Sequence, residues 1–125
     1  MQRPLSSLRP FGPILELSSS KDADDRIQQI QDLISEAQDQ APETINRDIS
    51  DNTVDKAHSF IETTFSELSN SSNETLAAGS LHAAADLNNE QLSGSQIAEL
   101  IDVSPGTITQ TSNRVIEEFK RQQLM

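Results

Sequence analysis

The segment Asn73–Leu87, NETLAAGSLHAAADL, carries almost no bulk. Ala77, Ala78, Gly79, Ser80, Ala83, Ala84 and Ala85 surround only three large apolar residues, Leu76, Leu81 and Leu87. A helix that is small on every side can be approached closely by several neighbours, because the separation of packed helices is set by the side chains between them. The reading is a central helix enclosed by others. Ser71 followed by Glu74 matches a capping box and predicts its start, and Asn88-Asn89 marks its end.

The flanking segments supply the other helices. Asp22 can cap a first helix, with Asp24 and Asp25 favoured in its first turn by the helix dipole. Ile27, Ile30, Leu33, Ile34 and Ala37 then recur at three and four, forming one apolar face. Pro42 fits the first turn of a short helical segment carrying Ile45 and Ile49. Ser50 or Asp51 starts the next helix, whose stripe is Val54, Ala57, His58, Ile61, Phe65 and Leu68. The polar run 69–73, SNSSN, reads as a loop. No segment sustains the period-two alternation of a strand, so the expected fold class is all-α.

Leu92 to Phe119, LSGSQIAELIDVSPGTITQTSNRVIEEF, has the pattern of a helix-turn-helix over residues 93–119. Ile97 and Ala98 fall on a short helix, Val103 in a tight turn and Ile108 on a second helix. Ala98, Val103 and Ile108 are equally spaced, giving a small residue at a crossing, an apolar plug and an apolar anchor. Ser93 with Gln96 forms a capping box. Ser104 caps the second helix, with Pro105 at its first position. That helix should bury Ile108, Ser112, Val115 and Phe119 and end near Lys120 and Arg121. Its other face presents Thr107, Thr109, Gln110, Asn113 and Arg114. In DNA-binding proteins such a helix enters the major groove. Gln and Asn pair with adenine, Arg with guanine, and a Thr methyl meets the thymine methyl. The amides from Ser104 to Gly106 suit a phosphate at the helix start. Ser104, Thr107, Thr109, Gln110, Asn113 and Arg114 are therefore the candidate DNA-binding residues.

Composition narrows the alternatives. The 125 residues include no cysteine, which removes disulfides, thiolate metal sites and cysteine nucleophiles. Trp and Tyr are absent and Phe occurs four times, so the core must come from Leu, Ile, Val and Ala. No apolar run approaches the roughly 20 residues that span a bilayer. Residues 1–20, broken by Pro4, Pro10 and Pro13, make a poor signal peptide and read as a flexible leader. Leu8, Phe11, Ile14 and Leu17 would serve a short docking peptide there. A cytoplasmic protein with no membrane partner is the expectation. His58 and His82 each fall on an apolar helix face and read as hydrogen-bonded boundary residues. Asp22, Asp24 and Asp25 read as dipole-favouring charges rather than a metal cluster. No nucleophile–base pair, glycine-rich phosphate loop or metal-ligand spacing is present, so neither an enzyme nor a cofactor is expected.

The net charge is -11, and residues 22–91 carry nearly all the excess, with fifteen acids against three bases. Residues 92–125 hold four acids and three bases. Many acids, few lysines and small apolar residues suit a protein kept soluble in concentrated salt, where the Debye length falls to about 3 Å.

From Ser72 to Val115 the chain resembles the cyclin-like repeat of transcription initiation factor IIB and its archaeal counterpart, transcription factor B. The resemblance rests on SNETLAAGSLHAAADL, with His82 at a position the family fills with an aromatic, and on SQIAELIDVSPGTI, which leads into the last helix. It runs ungapped and is closest to the second of the family's two repeats. It implies a five-helix cyclin-like bundle over residues 21–125 that ends in a helix-turn-helix. It also implies a DNA-binding transcription protein that grips double-stranded DNA in a salt-dependent way. The family's zinc ribbon has no cysteines here to build it. Where the family turns basic after the motif, this chain has Thr109, Gln110 and Thr111. The alternative is a non-enzymatic interaction module that docks on, or competes with, a transcription protein.

Overall fold

A computed structural model describes residues 14–123, with side chains from residue 23 onward. Five α-helices and no strand occur among them: α1 (Ile14–Thr44), α2 (Asp51–Leu68), α3 (Asn73–Leu87), α4 (Gly94–Leu100) and α5 (Pro105–Gln123). The protein is an all-α bundle. Helix α3 packs against each of the other four, and every residue from Leu76 to Leu81 is buried, as are Ala83, Ala84 and Ala85.

Small size at the centre sets the helix separations. At Gly79 an added Cβ would lie 2.4 Å from Thr111 Cγ2 and 2.7 Å from Thr111 Cβ, with the Ser112 backbone nitrogen at 3.2 Å. Neither carbon distance leaves room for another atom. Helices α3 and α5 are therefore in backbone-to-side-chain contact, which only glycine permits here. Around this crossing the core is closed by Ile30 and Ile34 of α1, Phe60 and Ile61 of α2, Ile97 of α4, and Ile108 and Val115 of α5. Phe60 meets Phe119 edge-on at 4.8 Å between ring centroids, an arrangement aromatic quadrupoles favour.

Polar side chains fasten the loops to this core. Arg26 on α1 donates to Asn73 Oδ1 (2.9 Å) and to the carbonyl oxygens of Ser69 (2.6 Å) and Ser71 (2.8 Å). Its guanidinium also lies 5.0 Å from the centroid of Phe65. One planar fork thus binds the carbonyls at the C-terminal end of α2, where cations are favoured. At the other end of α2, Glu90 accepts from Thr53 Oγ1 (2.6 Å), Ser50 Oγ (3.2 Å) and the Ser50 amide (3.2 Å). A carboxylate at a helix N-terminus is the complementary charge. It ties the α3–α4 connection to α2, and Arg47 donates to the Gln91 carbonyl beside it.

Several sequence expectations shift. Helix α1 begins upstream of Asp22, at Ile14, and continues through Pro42 to Thr44. No separate segment forms around Ile45 and Ile49. Pro42 has no N–H to give the Gln38 carbonyl, the helix ends two residues later, and Asn46 at φ 58° lies just beyond in the left-handed region. The cap of α3 is Ser72, which accepts from the Thr75 amide at 3.1 Å, rather than Ser71. The Leu8 and Phe11 docking reading lies outside the described residues, as do the side chains of Ile14 and Leu17.

Two substitutions test this packing. Gly79→Ala gains about 1 kcal/mol of helix propensity but overpacks a site where such insertions cost about 1–3 kcal/mol. Because the Thr111 Cβ itself is too close, rotating the side chain gives no relief. The expected result is a lower melting temperature that Thr111→Ala only partly restores; melting at or above the parent would refute the close approach. Arg26→Ala should destabilise by about 2 kcal/mol, and Arg26→Lys should recover little, because an ammonium cannot make the fork. Urea unfolding midpoints read both.

Candidate nucleic-acid interface

Helices α4 and α5 meet at a tight corner. The capping box forms: Gln96 N donates to Ser93 Oγ (3.1 Å) and Ser93 N donates to Gln96 Oε1 (3.0 Å). Helix α4 stops at Ile101, which is extended and buried. Val103 N then donates back to the Ile101 carbonyl at 2.7 Å. Ser104 starts α5 by accepting from the Thr107 amide at 3.4 Å and donating to Thr107 Oγ1 at 2.8 Å. Ile97 and Ile108 are fully buried between the two helices, whereas Ala98 and Val103 are half-buried. The two helices also come close one turn before Ala98. A Cβ on Gly94 would lie 3.3 Å from the Pro105 carbonyl oxygen and 3.5 Å from Thr109 Oγ1. Gly94 and the buried Ile101 also line the corner, and Ala98 and Val103 pack against the core.

Of the six candidate residues, Ser104, Thr109, Gln110, Asn113 and Arg114 are exposed and Thr107 is half-buried. Thr109 with Asn113, and Gln110 with Arg114, are four apart and share one face of α5. That stripe is brought together. Ser104 and Thr107 stand at its start, with the Ser104 hydroxyl committed to the cap and donating to that of Thr107. Thr111 lies on the opposite side, 4% exposed against Gly79. Of the start-of-helix amides, Pro105 has none to give, and the Thr107 amide is already used.

The electrostatics are mixed. Arg114 lines a shallow groove with Glu67, Glu117, Glu118 and Arg121. Arg121 is engaged there, donating to Glu67 (3.1 Å) and to Glu118 (2.5 Å). The Gln122 amide, and then Arg121, hold the Glu118 carboxyl below its ordinary range; Glu118 raises Arg121 in turn. Arg114 is the one cation on the stripe itself.

The chain matches no protein-family model, no curated protein and no solved structure. The described residues contain no helix long and apolar enough to cross a membrane. They contain no group of three or more His, Asp and Glu side chains placed to hold a metal ion. The histidines are tied to the bundle: His58 Nε2 lies 3.3 Å from the Gln31 carbonyl, and His82 Nδ1 lies 3.0 Å from Ser112 Oγ.

Two surface features escaped the sequence reading. A polar groove of about 720 Å³ runs between Arg47, His82, Asp86, Glu90 and Gln96. An apolar groove of about 380 Å³ is lined by Leu87, Ile116, Phe119, Lys120 and Gln123. Leu87, the last residue of α3, is 47% exposed and shares this groove with the α5 residues Ile116 and Phe119.

The cap can be checked directly. Ser93→Ala should cost about 1 kcal/mol and speed amide exchange at Gln96. Unchanged protection at Gln96 would show that α4 does not depend on the box.

Proposed function

We propose that this protein is a DNA-binding, transcription-related protein that reads duplex DNA with the exposed face of α5. In this reading α4 and α5 form a helix-turn-helix, and the bundle corresponds to one cyclin-like repeat of the transcription factor B type. The observation that carries the proposal is the stripe Thr109, Gln110, Asn113 and Arg114: exposed, hydrogen-bonding and almost uncharged, on a helix fixed from behind by Ile108, Thr111, Ser112 and Val115. Recognition helices present such residues to base edges.

The charge distribution makes the mode of binding unusual. Counterion release gives a slope of log affinity against log salt of about -0.9 per phosphate neutralised. With Arg114 the one cation on the stripe, the expected slope is shallow, with a magnitude of about 1. The acidic remainder of the chain opposes approach at low salt. Duplex binding measured from low to molar salt tests this, with Gln110→Ala weakening binding at every concentration and Arg114→Ala flattening the slope. Absence of binding to any duplex across the series overturns the proposal.

The groove of Leu87, Ile116 and Phe119 favours a second reading, in which the bundle docks on a transcription protein. Leu87→Glu distinguishes the two: it should abolish capture of such a partner and leave duplex affinity intact.

A further inference from the structure

The oxygen of Thr109 is turned away from any ligand. Its hydroxyl donates to the Pro105 carbonyl at 3.1 Å. The same oxygen faces α4, where it would sit 3.5 Å from a Cβ on Gly94. The residue is nonetheless exposed, so its γ-methyl is the group left to offer outward. Gln110 beside it and Asn113 one turn on are exposed amides. The Ser104 hydroxyl both donates and accepts within the cap, and Thr107, whose hydroxyl accepts from it, is half-buried at the start of the helix. Arg114 is the one guanine-type reader. It shares its groove with three carboxylates, Glu67, Glu117 and Glu118, against one further cation, Arg121.

We infer that this face selects A·T base pairs in the major groove: Gln110 and Asn113 take adenine N6 and N7, and the Thr109 methyl meets the thymine C5-methyl. This rests on the DNA reading above and commits it to a class of sequence. The physical basis is the donor and acceptor code of the major groove. There an amide matches adenine bidentately, and thymine alone among the four bases carries a methyl. A cytosine–guanine pair would leave both amides badly matched and the methyl facing a polar edge.

The test uses the full chain and fluorescence anisotropy with three duplexes of equal length: A·T-rich, G·C-rich, and the A·T-rich sequence with deoxyuridine for thymidine. The A·T-rich duplex should bind about tenfold or more tighter than the G·C-rich one, since one good bidentate pair discriminates by that much. Deoxyuridine should cost a few-fold, and Thr109→Ser, which keeps the hydroxyl, should erase that thymidine–deoxyuridine difference. Gln110→Ala should reduce the A·T preference, with circular dichroism confirming the fold of each variant. Binding to no duplex defeats the DNA reading itself. Equal binding, or a G·C preference, leaves DNA binding standing and overturns A·T selection. An A·T preference indifferent to deoxyuridine overturns the Thr109 methyl contact, and one that Gln110→Ala also leaves unchanged assigns the effect to DNA shape and overturns the base contacts altogether.

Discussion

The contact of Gly79 with Thr111 fixes the position of α5, and through α5 everything the surface can do. With a Cβ forbidden by 2.4 Å and 2.7 Å contacts, α5 lies against the backbone of α3. That proximity buries Thr111 and Ser112 and brings Ser112 within 3.0 Å of His82. It leaves the opposite side of α5, at Thr109, Gln110 and Asn113, facing outward. The exposed stripe thus has a rigid support behind it. Packed interiors resist displacement, so the three side chains keep their mutual register.

Around that contact the bundle is held by charge at helix ends more than by ion pairs. Arg26 meets the carbonyls closing α2, and Glu90 meets the amide and hydroxyls opening it. Both act where partial charges of backbone groups are already aligned, and both bridge elements distant in sequence. Exposed pairs such as Arg121 with Glu67 contribute little by comparison. In a chain with so few cations, two of the nine are thus spent inside the architecture, at Arg26 and Arg47.

The helices were legible because their signals are local. Periodicity placed α1 and α2, the small-residue run placed α3 at the centre, and Ser93, Gln96 and Ser104 placed the α4–α5 corner. The misjudged points depend on partners distant in sequence. Pro42 looks like a helix start until Ala41 is found buried and Asn46 is found carrying the stop. Thr111 is not among the residues that periodicity assigns to the buried face of α5, and its burial comes from Gly79 lying against it. Arg26 and Glu90 carried no local pattern at all, because each binds backbone about forty residues away. The exposed stripe was legible as a set, yet the inward turn of the Thr109 hydroxyl depends on Gly94, which no periodicity marks.

Charge and recognition pull against each other in this molecule, and salt decides the balance. At a Debye length of about 10 Å the acids of residues 22–91 project across the bundle to the α5 face and repel a polyanion. At about 3 Å they act only on their immediate neighbours, and on the DNA reading proposed above the stripe would meet a duplex on the terms of its own side chains. Those terms are hydrogen bonds, a methyl contact and the water they release, none of which depends on counterions. Basic proteins give up affinity steeply as salt rises. A face of amides and a methyl has little of that affinity to lose. On the proposed reading, an acidic body with a nearly neutral face suits concentrated salt. Thr109 and Gln110 stay exposed on that face, while Thr111 beside them is used to hold α5 against α3.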